Sequence, residues 1–285
     1  MKRFGTFSSC GASIASALIL VTALVLGAAP TRAASVTAKF EPHAKGSART
    51  VDHSAWSELL AAHLVAGADG INRLDYTRLK GAPHGRLKAY IAALEKVDVA
   101  GLDRSEQQAF WINLYNVVGL DAVLARYPVA SINDVSLADP AGQMQTGPWK
   151  AKLVTVAGVA LSLDDIENAI VRAVFKDARA HYVLNCLSIG CPNMRAVALT
   201  GANLEAQLES ASREFINHPR AISFGADGKV TASSVYEWFD ADFGGFEGIV
   251  AHMTKYAEAP LRTRLTALKT IEAYTYDWSL ADVGK

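Results

Sequence analysis

The sequence has 285 residues, of which 51% are hydrophobic, and its 28 basic side chains balance 28 acidic ones. A chain of this length and apolar content can bury one sizeable core. Because it has no dense basic stripe, it lacks the attraction to phosphates that nucleic-acid binding needs, and we expect no nucleic-acid partner.

The first 33 residues have the order of parts of a secretory signal peptide. Lys2 and Arg3 form a cationic start, an apolar run follows at residues 12–29, and Ala33 ends a cleavage motif of small residues. A membrane anchor is the alternative, but a run of about 18 residues is marginal against the ~20 that a span needs. We therefore expect cleavage, a periplasmic or secreted product, and no stable membrane span afterwards. Cleavage removes three basic residues and no acid, which leaves 25 against 28, a formal charge of −3.

The chain after the leader is expected to form a single α+β domain. Residues 34–50 are polar and have no hydrophobic period, which predicts a flexible lead-in. Residues 51–285 contain no repeat of about 20–50 residues and no long linker. For this range we expect helices packed on a small, mainly antiparallel sheet.

The first half of the domain is predicted to be helical. Apolar residues recur with a helical period from His53 to about residue 94, with a break at Pro83. The strongest predicted helix begins at Asp103 and ends near Arg126. Asp103 and Glu106 occupy N-cap and N3 positions, where each can satisfy the other's exposed amide.

Short strands join the helices in the second half. Two hairpins are predicted around the Ala157-Gly158 and Asp227-Gly228 turns. The other predicted elements are helices at residues 163–175 and 204–216, a strand at residues 181–186, three later short helices and a last strand at residues 271–276.

The residues most suited to chemistry are His181, Cys186 and Cys191. Side chains alternate along a strand, so His181 and Cys186 would point to opposite faces of a regular one. Cys191 lies beyond a turn-rich stretch and could fold back toward the face that bears His181. By geometry, Cys191 is at least as good a thiol candidate as Cys186.

Three interpretations of the two cysteines remain open. In an exported protein, two cysteines five positions apart are typical of a disulfide, which here requires a tight turn at residues 187–190. The other interpretations are a catalytic thiol and inert buried thiols. Because Cys-x4-Cys with only His181 nearby lacks the ligands of a zinc cage, we expect no metal site, and we expect no cofactor.

Two amides in the predicted helix at residues 103–126 also need an explanation. Asn113 and Asn116 lie among apolar residues, where an amide is costly unless it is hydrogen-bonded. They could bind neighbouring backbone in the core. Alternatively, Asn113 could orient a histidine or stabilise an oxyanion. Glu106 is interpreted mainly as a capping residue, and a capping residue at this position could also act as a base.

Several motifs resemble an uncharacterised family, domain of unknown function 547. The motifs lie at residues 108–116, 161–167, 181–192, 236–243 and 276–278. The resemblance spans about residues 55–280 and includes both Cys186 and Cys191. It implies the fold and the location of the site, and no settled activity. The family pattern often has a histidine where this chain has Asn168, so a role as a base does not carry over to that position.

Two functions from different classes follow. In the first, the protein is an exported thiol hydrolase or acyltransferase acting on a peptide or cell-wall amide. Cys191 or Cys186 would attack the carbonyl, His181 would carry the proton, and Asn113 or a backbone amide near Gly190 would hold the oxyanion.

In the second, it is a non-catalytic binding protein of the cell envelope with a structural Cys186–Cys191 disulfide. Trp111, Trp238 and Trp278 would then form core or a wall facing a peptide or other envelope ligand, core being the preferred interpretation.

Overall fold

A computed structural model of the protein describes residues 31–284, which form one compact unit. Apart from residues 31–33, the predicted signal peptide lies outside the described residues. The helices of the described part are α1 (Arg32–Phe40), α2 (Ser54–His63), α3 (Tyr76–Leu79), α4 (Ala82–Leu94), α5 (Arg104–Arg126), α6 (Leu204–Ile216), α7 (Ser234–Trp238), α8 (Asp240–Phe243), α9 (Gly245–Tyr256) and α10 (Ala259–Thr266). A π-helix spans Asp165–Phe175, and 3-10 helices span Val99–Gly101, Ile132–Asp134 and Ala178–Tyr182.

The strands found in residues 31–284 are short and form four small sheets. They are β1 (Leu64–Ala66), β2 (Asn72–Leu74), β3 (Leu137–Ala138), β4 (Met144–Gln145), β5 (Val154–Val156), β6 (Val159–Leu161), β7 (Ile222–Phe224), β8 (Val230–Ser233) and β9 (Ala273–Thr275). The first six strands form three antiparallel pairs, and β7, β8 and β9 form a three-stranded sheet in which β8 and β9 are parallel. The predicted α+β class is confirmed, although the strands do not form one continuous sheet.

Both predicted hairpins are confirmed. In the first, Val156 pairs with Val159, and the turn places Ala157 at φ 47° and Gly158 at φ 77°. Two successive positive φ angles match the right-handed twist of the strands, and glycine reaches such angles at no steric cost.

Helix α5 occupies the centre of the core and is buried on nearly all sides. Asp103 caps it by accepting a hydrogen bond from the backbone N–H of Ser105, which confirms the predicted start. It packs against α4, α6 and the π-helix. Most side chains of α5 therefore lie in the core.

The region after the leader differs from the predicted flexible lead-in. Helix α1 packs on the π-helix through buried Val36 and Phe40, and the Phe40 ring lies 4.8 Å from that of Trp111. The hydroxyl of Thr37 also donates to the carbonyl of Ala169. Two apolar residues four positions apart are enough to attach one helical face, even though the surrounding sequence is polar. The predicted cleavage point after Ala33 falls in the first turn of α1.

The predicted strand at residues 181–186 is wrong. Residues Ala178–Tyr182 form a 3-10 helix, and the buried amide of Asn116 then binds the next segment. Its Nδ2 donates to the carbonyl of Val183 at 2.9 Å, and its Oδ1 accepts from the N–H of Asn185 at 2.8 Å. The side chain of Asn116 thus satisfies two backbone groups that would otherwise pair with a neighbouring strand. The core interpretation of Asn116 is therefore correct.

Within residues 31–284, no helix is both long enough and apolar enough to cross a membrane.

Candidate functional site

A pocket with a volume of about 200 Å³ lies beside α5 and the π-helix. Elements from the middle and the end of the chain contribute to its wall. Its lining residues are Tyr115, Trp149, Glu167, His181, Leu184, Cys186, Cys191, Pro192, Val235, Trp238, Phe239, Tyr276 and Trp278. The structure thus brings together three residues predicted from the sequence, namely His181 and both cysteines.

The two cysteines are paired. Their sulfurs are in contact and their Cα atoms are 6.2 Å apart, inside the span that a disulfide requires. The predicted tight turn makes this possible. Leu187 adopts a left-handed conformation at φ 65°, and the N–H of Cys191 donates to the carbonyl of Ser188 at 3.1 Å.

Gly190 serves this turn through close packing. A Cβ atom at this position would lie 2.9 Å from the backbone nitrogen and 3.0 Å from the carbonyl oxygen of Asp277. The N–H of Gly190 donates to that same carbonyl at 2.8 Å. Since no side chain fits here, only glycine lets the cysteine turn lie against the segment that carries Tyr276 and Trp278.

The two sulfurs have different hydrogen-bond partners. Sγ of Cys191 accepts from the backbone N–H of Cys186 at 2.9 Å and from the hydroxyl of Tyr276 at 3.2 Å. Sγ of Cys186 lies 3.0 Å from the hydroxyl of Ser188 and 2.8 Å from that of Tyr276. A backbone N–H can only donate, so it favours a sulfur that carries negative charge. Cys191 has this donor.

His181 is held by Asp242 and by an aromatic ring. Its Nε2 lies 2.8 Å from Oδ2 of Asp242, and its ring stacks on that of Phe239 at 4.0 Å. Burial lowers the pKa of His181, although the hydrogen bond to Asp242 acts in the opposite direction. The bonds from His181 and Arg172 hold the pKa of Asp242 far below its usual range. An ionised carboxylate can only accept, so Nε2 carries the proton and Nδ1 is free to accept one.

Glu167 is an acidic pocket residue that was not predicted from the sequence. It is partly buried, lines the pocket, and accepts a hydrogen bond from the hydroxyl of Tyr115 at 3.1 Å. Burial raises its pKa to about 7. In the sequence, Glu167 stands out only as an acid in the motif at residues 161–167, one of those that resemble the family. Its shielding from solvent is visible only in the tertiary structure.

Aromatic rings form the outer wall of the pocket. Trp238 stacks on Trp278 with ring centres 5.5 Å apart, and Tyr276 lies 4.7 Å from Trp278. Trp149 contacts the same ring at 6.3 Å. Trp238 remains 45% exposed. The predicted core position is correct for Trp111, which is fully buried, whereas Trp238 and Trp278 face the pocket.

Asn113 and Glu106 do not reach the pocket. Both ends of the Asn113 amide bind the backbone of Leu199, at 2.7 and 3.1 Å, so its core interpretation is correct. Glu106 accepts from the backbone N–H groups of Val51 at 2.8 Å and Gly201 at 2.5 Å. It fastens two distant loops to the start of α5 and does not form the predicted reciprocal cap with Asp103.

The backbone amides near Gly190 are also occupied. The N–H of Ile189 donates to the carbonyl of Ser279 at 2.8 Å, and those of Gly190 and Cys191 bind Asp277 and Ser188. The structure therefore does not present the oxyanion site predicted from Asn113 or from this turn. Among the described residues, no group of three histidine, cysteine, aspartate or glutamate side chains could hold a metal ion.

Comparison with protein families agrees with the resemblance found in the sequence. Residues 99–216 match the model of a family described as "Protein of unknown function, DUF547". This range contains the first three motifs, including the cysteine turn, and ends before the motifs at residues 236–243 and 276–278. No curated protein and no solved structure matches the chain. The resemblance to the DUF547 family is thus confirmed over residues 99–216, which include α5, the π-helix and the paired cysteines.

Proposed function

We propose that the pocket is the active site of an exported thiol-dependent hydrolase or acyltransferase that acts on a peptide or cell-wall amide. One observation carries the proposal. Two cysteines, a histidine oriented by a carboxylate and a partly buried glutamate converge on a single cavity with a mainly apolar lining. Titratable groups with shifted pKa values in a concave apolar site are typical of catalytic centres.

Cys191 is the proposed nucleophile. When the pair is reduced, the N–H of Cys186 and the hydroxyl of Tyr276 can both stabilise a thiolate on Cys191. Hydrogen bonding to the charged form lowers a pKa, and the thiolate is the reactive form of cysteine. Cys186 would act as the partner that closes the disulfide and protects the nucleophile.

The reaction requires reduction before acyl transfer. An external dithiol supplies two electrons and two protons, so that the Cys186–Cys191 bond opens to two thiols while the dithiol becomes a disulfide. Nδ1 of His181 then takes the proton of Cys191, and the thiolate attacks the amide carbonyl. The leaving amine receives that proton, a thioester remains on Cys191, and water or a second amine releases the acyl group.

The first test measures thiol reactivity. Unreduced protein that begins at residue 34, and therefore lacks Cys10, is treated with iodoacetamide and analysed by mass spectrometry, and the reduced protein is then alkylated over a range of pH. We expect no reaction before reduction, and afterwards faster alkylation of Cys191 than of Cys186, with a pH midpoint below the ~8.5 of an ordinary cysteine. Equal, slow alkylation of both thiols with an ordinary midpoint would contradict the proposal.

The second test traps the acyl intermediate. Cys186→Ser leaves Cys191 unable to form the pair, and Cys191→Ser is the matched control. With 4-nitrophenyl acetate, Cys186→Ser should gain one acetyl group on Cys191, whereas Cys191→Ser should gain none at the pocket. Adding His181→Asn to Cys186→Ser should slow the acetylation by about 10²-fold or more, the range of general base catalysis.

A non-catalytic binding protein of the cell envelope is the second candidate, and the pairing of the cysteines favours it. Export, which the predicted signal peptide favours, would place them in an oxidising compartment where structural disulfides persist. Closing a loop with a sequence separation of 5 contributes about 2 kcal/mol in the chain-entropy view. Loss of about this stability on reduction, without enhanced reactivity at Cys191, would support the binding protein and count against the enzyme.

A further inference from the structure

The charges and rings of the pocket also select its ligand. Among the described residues that line it, Glu167 alone has an acidic side chain, and neither lysine nor arginine is present. His181 also lines the pocket and can take up a proton, but burial lowers its pKa and so keeps it neutral near pH 7. When ionised, Glu167 is therefore the one charged group that faces the ligand. The lining disfavours an anion.

The aromatic wall acts in the same direction. Trp149, Trp238, Tyr276 and Trp278 form a contiguous cluster at the pocket. The faces of such rings attract cations, most strongly those of tryptophan, and the attraction grows when water is excluded. A positive group in the pocket would share its lining with these rings and with the carboxyl group of Glu167.

The size of the pocket limits the ligand further. Its volume of about 200 Å³ lies below the ~300–1,000 Å³ typical of sites for drug-sized molecules. The space accepts one small ring or one side chain. An extended peptide could place only a single residue inside, while the exposed Trp238 contacts what remains outside.

From this lining we propose that the pocket binds a compact organic cation, an ammonium group on a small apolar body, with the positive charge between Glu167 and the rings of Trp149, Trp238, Tyr276 and Trp278. As a statement about substrate it rests on the proposed function, since the cation would belong to the amine part of the amide or to the acyl acceptor. As a statement about binding it requires no thiol chemistry.

Binding should depend on pH through Glu167. The charged and titratable groups around it are Tyr115, Asp164, Arg172, His181, Asp242 and Tyr276. Arg172 is itself bound to Asp242, which leaves the Glu167 charge for the ligand. A carboxyl group with a pKa of about 7 is mostly neutral at pH 6 and mostly ionised at pH 8. The affinity for a permanent cation should therefore increase about tenfold between these pH values, with uptake of the cation releasing a proton.

The experiment uses the unreduced protein, in which acyl transfer cannot occur. Benzyltrimethylammonium is titrated by calorimetry at pH 6 and pH 8. The neutral control is a neopentylbenzene that carries a hydroxyl group, and the anionic control is benzoate. We expect the cation to bind at least tenfold more tightly at pH 8 than either control, and to lose that advantage at pH 6. A control that binds as tightly as the cation at pH 8 would overturn the inference.

Glu167→Gln is the decisive variant, because glutamine keeps the size and can still accept from Tyr115. It should lose at least about tenfold in cation affinity at pH 8 and lose the pH dependence, while binding of the neutral control is unchanged and reports an intact pocket. If this variant does not fold, Tyr115→Phe should shift the pH midpoint of cation binding upward, since the hydrogen bond from Tyr115 lowers the pKa of Glu167. An unshifted midpoint would then count against the inference.

The outcomes for substrate and for function are separable. Cation binding without acetylation of Cys191 would support the ligand class and contradict the enzyme. Acetylation of Cys191 in Cys186→Ser without cation binding would support the enzyme and contradict the ligand class.

Discussion

Asp242 holds His181 from outside the pocket: its Oδ2 lies 2.8 Å from Nε2 of the imidazole, while Arg172 binds both carboxylate oxygens, at 2.5 and 3.0 Å. The carboxylate fixes the proton on Nε2 and leaves Nδ1 of this pocket-lining residue as the acceptor nitrogen. Asp242 is therefore a positioning residue, and its effect on chemistry passes through His181.

Removing the charge of Asp242 should impair proton transfer by His181 and leave the lining of the pocket unchanged, because Asp242 is not part of that lining. In the Cys186→Ser background, Asp242→Asn should slow acetylation of Cys191 by at least about tenfold, because an amide can donate as well as accept and does not hold the imidazole in one tautomer as the carboxylate does. The pH midpoint of the reaction should also fall, since Asp242 raises the pKa of His181. Asp240→Asn, two residues earlier and exposed, is the matched control and should change neither value. An unchanged midpoint in Asp242→Asn would refute the positioning role.

The amide of Asn116 should contribute to stability more than to reactivity. Asn116→Ala leaves the buried carbonyl of Val183 and the N–H of Asn185 without their partner. An unpaired buried polar group costs about 1–3 kcal/mol, so the variant should lose about 2–4 kcal/mol of unfolding free energy. Urea denaturation followed by circular dichroism measures the loss.

Asn133→Ala is the control for this variant, because its side chain is only partly buried and the residue pairs through its backbone. It should change stability by less than about 0.5 kcal/mol. Equal losses for the two variants would show that Asn116 does not fix the segment before the cysteine turn.

Local sequence signals predicted the fold where the determining contacts are local. The N-cap at Asp103 and the positive-φ turn at Ala157-Gly158 both act within four residues, and both were found at their predicted places. The segment at residues 181–186 has strand-type composition, but Asn116, which lies about 70 positions away, binds its backbone instead. That preference could not be read from the segment itself.

The candidate site was predicted in part for the same reason. His181 and the cysteines have distinctive chemistry and stand close together in the chain. The partner of His181 is 61 positions away at Asp242, and Glu167 is distinguished only by its burial. The sequence does not distinguish an asparagine that binds backbone from one that binds a ligand. It therefore indicates Asn113 as a candidate, although the backbone of Leu199 binds both ends of its amide.

Gly190 should tolerate no side chain. In Gly190→Ala the added methyl group would lie 2.9 Å from the backbone nitrogen of Asp277, so the cysteine turn or the Tyr276 segment must move. Overpacking of this kind costs about 1–3 kcal/mol. We also expect slower re-formation of the disulfide after reduction, measured by loss of free thiols with time. Gly85→Ala on α4 meets open space and should instead stabilise the protein by about 0.5–1 kcal/mol. A neutral Gly190→Ala variant would disprove the close packing.

In the protein without ligand, Glu167 should lower the free energy of unfolding as the pH rises. Its folded pKa of about 7 lies above the ordinary value of 4.5, so the folded state holds this proton more tightly than the unfolded state does. Relative to Glu167→Gln, the wild type should therefore lose stability between pH 4.5 and pH 7, by up to about 3 kcal/mol, and no further above that range. Urea denaturation of both proteins at pH 4 and pH 8 gives the difference, with the exposed Glu237→Gln as a control that should show none. If Glu167→Gln and wild type keep a constant difference across this range, the carboxyl group is not shielded, and the expected pH dependence of cation binding would disappear with it.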